Sequence, residues 1–141
     1  MQRAPIPLPS DLVERLSAAM VLMARRHGWR LVVLFGSAVA GGPARDLDLA
    51  VLPAAMPSLL EQGAWLASLE AQLAPWPIDL LVLRDATPPV LRFEVFRQGL
   101  CLYESEPGLF GREQDRAFFL FADSEWIRRQ MREVLFARPQ P

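Results

Sequence analysis

Asp46 and Asp48 stand one residue apart in the apolar run DLDLAVL (46–52), and Asp79 opens another, IDLLVLR (78–84). Carboxylates are costly in strands that otherwise read as buried, so their presence asks for a chemical reason. Side chains alternate faces along a strand, which puts Asp46, Asp48 and Ala50 on one side and Leu47, Leu49 and Val51 on the other. In the same way Asp79 shares a face with Leu81 and Leu83, opposite Ile78, Leu80 and Val82. If the two strands are neighbours, the three carboxylates meet. At close range they repel one another and their pKa values rise unless a cation sits between them. A hard divalent cation with oxygen ligands, above all Mg²⁺, resolves that conflict.

Upstream, the run RLVVLFG (30–36) ends in Gly36-Ser37. A glycine there lets a bulky anion approach the backbone, and a helical turn over residues 37–40 would offer N–H groups and the Ser37 hydroxyl to it. One side of such a cleft holds triphosphate oxygens and the other holds metal bridging to them, the apparatus of in-line displacement at phosphorus. Each element alone is bland. Gly-Ser is a common turn, Asp-x-Asp is often a cap or solvated loop, and Asp79 after Pro77 could be a strand-entry residue facing water. Their order along the chain is what points to nucleotidyl transfer.

The elements that must position these residues follow from periodicity. Residues 10–27 read as an amphipathic helix with Ser10 as N-cap, ended by Gly28. Strands are expected at 30–36, 46–52, 78–84 and 100–104, the last at a sheet edge. Helices are expected from Ser58 to Leu73, from a Thr87 N-cap to Gln98, and from about 109 to 137, with a possible break near Ala122-Asp123-Ser124. The order α-β-β-α-β-α-β-α predicts an α/β (α+β) architecture with one mixed sheet of about four strands flanked by helices. A length of 141 residues suits one domain, 1–141, with a C-terminal helical segment at about 107–137.

Composition narrows the function classes. Apolar residues make up 52% and charged residues 22%, which places the chain among globular proteins. A net charge of −1 gives no electrostatic case for nucleic acid or anionic membrane. No signal peptide or membrane span is read, so a cytoplasmic location is expected. The lone Cys101 excludes an internal disulfide and reads as a small apolar strand residue. The lone His27 excludes a His-paired metal site and is expected at a helix C-terminus as a partly positive ring. Every basic residue is Arg, so a phosphate-binding lysine of the Walker type is ruled out. Arg84, Arg92 and Arg97 lie near the third strand, with nothing in the sequence to assign them to nucleotide or partner.

The segments FGS (35–37), DLDLAV (46–51), IDLLVL (78–83) and TPPVLRFEVFRQGLCLYE (87–104) resemble a minimal nucleotidyltransferase of the DNA polymerase β superfamily, of the MNT type that accompanies HEPN-domain toxins. The likeness covers residues 10 to about 135 and is weakest in the C-terminal helix. It implies a Mg²⁺-dependent antitoxin that transfers AMP from ATP to a tyrosine of a HEPN ribonuclease, forming a hetero-oligomer with it. By position, Gly36 and Ser37 would hold the triphosphate, Asp46 and Asp48 would ligate Mg²⁺, and Asp79 would complete the metal site and help activate the hydroxyl. The chain departs from the pattern in two ways: GSAVAGG lacks the usual Arg after Gly-Ser, and the turn to Asp46 is shorter. Gly41, Gly42 and Pro43 supply turn geometry there, and Arg45 is a possible replacement cation.

Two other readings stay open. A nucleotidyltransferase fold with weakened catalysis would neutralise its toxin by docking, using an apolar surface among Phe118, Phe119, Phe121, Trp126 and Phe136, although at least half of these are expected in the core. An antibiotic-modifying enzyme would need a second domain for its acceptor, whereas residues 105–141 supply one or two helices. With so little acceptor surface of its own, the chain is expected to need another protein to complete its site.

Overall fold

The structure, a computed structural model, describes residues 10–40 and 44–136. Helix α1 (Leu12–His27) leads into β1 (Trp29–Phe35), and a 3-10 turn, Gly36–Ala38, follows. Then come β2 (Leu47–Pro53), α2 (Leu59–Gln72), β3 (Ile78–Val82), α3 (Pro89–Arg97), β4 (Leu100–Glu104) and α4 (Leu109–Leu135). This is the predicted order. The sheet runs β3-β2-β1-β4, with β1 antiparallel to both β2 and β4, and β2 parallel to β3. Helix α2 makes the crossover that a parallel pair requires.

The alternation read from the sequence divides the core in two. Leu47, Leu49, Val51, Ile78 and Val82 pack on one face with α1 and α2, around Leu16, Met20, Trp65 and Leu69. Ala50, Leu83, Leu31 and Val33 pack on the other with Val95 and Phe96 of α3 and Leu109 and Ala117 of α4. Each fully buried Leu or Phe contributes roughly 1.5–3 kcal/mol of transfer free energy, so both helical layers are held firmly. Helix α2 starts at a capping box: the Ser58 hydroxyl accepts from the Glu61 N–H at 3.1 Å, and the Glu61 carboxylate accepts from the Ser58 N–H at 3.3 Å.

Several local expectations are corrected. The N-cap of α1 is Asp11 rather than Ser10, and its side chain makes no capping bond. Thr87 does not cap α3; its hydroxyl accepts from the Arg84 N–H at 2.9 Å and closes the turn ahead of the helix, leaving Pro88 at the N-cap. Helix α4 runs unbroken through Ala122-Asp123-Ser124, and the Ser124 hydroxyl donates back to the Phe121 carbonyl at 3.0 Å within the helix. The His27 ring stacks on Trp29 at 5.2 Å, and burial followed by the Arg26 charge lowers its pKa, favouring a neutral ring over the positive one expected. Cys101 sits half-buried in β4, where burial pushes its thiol up to about 11.

The aromatics of the C-terminal helix overturn a further expectation. Phe118, Phe119, Trp126 and Phe136 are exposed, Trp126 at 61% and Phe119 at 73%, and Phe121 is half-buried. The helix outruns the sheet: its buried residues, Leu109 and Ala117, lie in its first half. Gly41, Gly42 and Pro43, expected to shape the turn into β2, lie outside the described residues. No described helix is long and apolar enough to cross a membrane.

Candidate active site

The parallel pair β2 and β3 brings the acids together, and β1 runs beside β2. Register pairs Phe35 of β1 with Asp48 of β2, and Asp48 in turn with Asp79 of β3. Asp46 lies just before β2, on the face that Asp48 and Ala50 share. The result is a cluster in which one oxygen from each of Asp46, Asp48 and Asp79 lies within 4.8 Å of the others. Asp46 and Asp48 are half-buried and Asp79 is exposed. The neighbour condition on which the convergence depended is met.

Gly36 is fitted to Asp48. Its φ is +76°, a conformation that side chains rarely adopt, and an added Cβ would lie 2.1 Å from the Asp48 Oδ2. The glycine therefore serves two ends at once, turning the chain sharply out of β1 and leaving room for the carboxylate. The turn that follows is closed by the Val39 N–H on the Gly36 carbonyl at 3.2 Å and the Ala40 N–H on the Ser37 carbonyl at 3.1 Å. Ser37 is exposed beside it.

The electrostatics match the crowding. Burial, then the charges of Asp46 and Asp79, push the Asp48 carboxyl up to about 6, and a hydrogen bond with Asp79 adds to this. Among the described residues none of the three acids has a cationic partner within ion-pair distance. A half-buried acid held this high, in a set made only of carboxylates, fits a hard divalent cation ligated by oxygen.

A cavity of about 510 Å³ opens beside Asp46 alone of the three acids, walled also by Arg45, Glu70, Trp76 and Pro77. Arg45 is thus next to Asp46, while Glu70 and Trp76 arrive from α2 and the turn after it. Sequence reading did not find these two, since neither sits in a motif.

Comparison with known proteins agrees with this geometry. The family model for polymerase beta, nucleotidyltransferase, matches residues 21–107, a span that contains Gly36, Ser37 and all three acids. No match emerges among curated proteins. Among solved structures, the chain is similar to the complex of the tri-AMPylated Shewanella oneidensis HEPN toxin with MNT antitoxin, at 21% identity and a TM-score of 0.68, covering 89% of this chain and 99% of that one. A toxin–antitoxin structure with AMP-PNP is similar at 23% identity and a TM-score of 0.70, covering 86% and 98%. The toxin–antitoxin pair MntA-HepT matches at 21% identity and a TM-score of 0.68, covering 88% and 99%. The fold is that of these minimal proteins, and by its match over residues 21–107 the chain belongs to the polymerase β nucleotidyltransferase family.

Proposed function

We propose that the chain is an MNT-type antitoxin that transfers AMP from ATP to a tyrosine of a cognate HEPN-domain toxin. The observation that carries this is the convergence of Asp46, Asp48 and Asp79 against the glycine that opens the turn after β1. In the proposal Gly36 and Ser37 hold the triphosphate, and Asp46, Asp48 and Asp79 hold Mg²⁺. The metal, when bound, neutralises the phosphate oxygens and the charge that develops on them in transfer. Asp79, the exposed member of the set, takes the proton of the arriving hydroxyl. The new bond joins the tyrosine oxygen to the α-phosphorus, and the bond to the β-phosphate breaks, releasing pyrophosphate. In this reading Arg45, which lines a cavity with Asp46, would supply the cation that the Gly-Ser turn lacks.

Residues 1–141 act in this reading as one nucleotidyltransferase domain working in the cytoplasm, with no nucleic-acid or membrane partner. The acceptor comes from another protein. The neighbours that carry toxins, one of them tri-AMPylated and another structure holding AMP-PNP, support that choice of partner and nucleotide.

Incubation with ATP labelled at the α-phosphate, Mg²⁺ and the HEPN partner tests the proposal. Label on the partner's tyrosine is expected, and loss of it with Asp46→Asn or Asp48→Asn. No label from a complex that demonstrably forms would defeat it. A second reading, neutralisation by docking alone, is favoured by one observation: the exposed apolar half of α4. Under that reading the double Asp variant still silences the toxin.

A further inference from the structure

At the opposite end of β2 and β3 from the acids lies a second charged cavity, of about 450 Å³. Its charged lining comes from four separate elements or loops: Arg30 at the start of β1, Arg84 and Asp85 after β3, Arg92 of α3, and Glu113 and Arg116 of α4. With Arg30 paired to Glu106 outside the cavity, Arg84, Arg92 and Arg116 against Asp85 and Glu113 leave the lining at +1, in a chain whose net charge is −1. Four residue steps along the strand separate Asp48 from Leu52 at its rim, about 13 Å at the rise of a β-strand. The site is distinct from the acid cluster.

The buried member is Arg92, at 2% exposure. Its guanidinium donates to the Arg84 carbonyl and, at 3.5 Å, to the Glu113 carboxylate. That carboxylate is shared, because Arg116 lies 3.9 Å from the same oxygen. Arg116 also reaches Asp85 at 3.4 Å, but the Asp85 side chain is 98% exposed and weakly held. Arg30 turns outward to Glu106 at 3.6 Å, and the Arg84 side chain has no ion-pair partner among the described residues. Burial and then the Arg116 charge act against the Arg92 cation, and the Glu113 and Asp85 charges offset them in part. Guanidinium forks match phosphate oxygens in geometry, and crevices outside the carboxyl ends of parallel strands are where open α/β sheets hold ligands.

We propose that this cavity is a second, non-catalytic binding site for a multiply charged oxyanion of the phosphate class, held by Arg84, Arg92 and Arg116. Free pyrophosphate and the phosphates of a nucleotide share this chemistry, and the cavity has room for either.

The test is thermal unfolding of the full chain with excess EDTA at constant ionic strength, titrated separately with inorganic pyrophosphate, ATP and inorganic phosphate against chloride. Arg92 is avoided as the site of substitution because the fold depends on it; Arg84→Ala and Arg116→Ala remove exposed side chains. A saturable rise in Tm of roughly 4 °C at about ten times Kd is expected with the wild-type chain, with calorimetry giving one anion per chain. It should persist in Asp46→Asn/Asp48→Asn and disappear in Arg84→Ala/Arg116→Ala. A larger response to pyrophosphate than to ATP would name the free anion as the occupant, and the reverse would name the nucleotide. No rise in the wild type, a rise that survives loss of both arginines, or one abolished by the Asp substitutions would overturn the proposal. Since metal is withheld and the Asp variant retains the effect, failure of the transfer reaction and failure of this site are read separately.

Discussion

The two ends of the parallel pair β2–β3 carry opposite charge and are built by different means. At the amino ends three carboxylates crowd together without cationic partners among the described residues, and the space for one of them exists because Gly36 has no side chain. At the carboxyl ends Arg84 and Arg116 flank the buried guanidinium of Arg92, which is already tied to Glu113 and to the chain at Arg84. Each end stores like-charge repulsion that a ligand of the other sign would relieve. The difference lies in what else the charges do. The acids form no ion pair among the described residues, whereas Arg92 pins α3 to α4 and to the loop after β3. Damage to the first end should therefore cost activity, and damage to the second should cost stability.

The sharpest way to break this contrast is at the acids. Asp48→Asn should lower AMP transfer on the order of 10³-fold while Tm holds or rises, because one repelling charge is gone. Gly36→Ala should act in the same direction by about 10²-fold, since the new Cβ must displace the Asp48 carboxylate. Transfer rates with thermal unfolding on the same samples check both.

Arg92→Ala should do the reverse. Removing a buried guanidinium leaves the Arg84 carbonyl without this donor and Glu113 with only Arg116 at 3.9 Å, and should destabilise the chain by about 3 kcal/mol in urea unfolding. The folded fraction should keep its transfer activity.

Acidity sharpens the contrast further. The folded Asp48 carboxyl titrates at about 6 against an ordinary value of 3.8, so the folded chain holds this proton more tightly than the unfolded one. Its stabilising contribution is complete below pH about 3.8 and is lost as pH rises through about 6. Without metal, the wild-type chain should thus lose stability relative to Asp48→Asn across that window. Mg²⁺ should restore it only above about pH 6, where the carboxylate is free to ligate. Unfolding curves at several pH values, with EDTA or Mg²⁺, measure the difference.

The smallest effect on the isolated chain should come from α4. Trp126→Ser removes an exposed side chain and should move stability by no more than about 0.5 kcal/mol. Affinity for the HEPN partner, measured by calorimetry, should fall by about tenfold or more if this face is buried in the complex.

The acid end was legible in the sequence and the arginine end was not, for a physical reason. Asp46, Asp48 and Asp79 lie in strands, where a period of two assigns each side chain a face, so the assembly needed only that β2 and β3 be neighbours. The Gly36 requirement was visible as a strand-ending glycine, although its contact with Asp48 was not. Arg30, Arg84, Arg92 and Arg116 come from β1, a loop and two helices, and only the docking of α3 and α4 on the sheet unites them. Helix α4 misled for a related reason. Aromatic residues usually end in a core, but this helix extends past the sheet that would have covered Phe119 and Trp126. Its continuity through Ser124 shows that Asp and Ser at mid-helix lower propensity without breaking the helix, the Ser124 hydroxyl bonding back to the Phe121 carbonyl.

The central claim is that the three carboxylates act together as one metal and nucleotide site. Titration of the chain with Mn²⁺ in the presence of a non-hydrolysable ATP analogue, followed by electron paramagnetic resonance, addresses it without requiring a partner. Saturable binding by the wild type, lost in Asp46→Asn, Asp48→Asn and Asp79→Asn alike, is the predicted result. Binding that survives the Asp48 substitution, or that never depends on Asp79, would contradict the account.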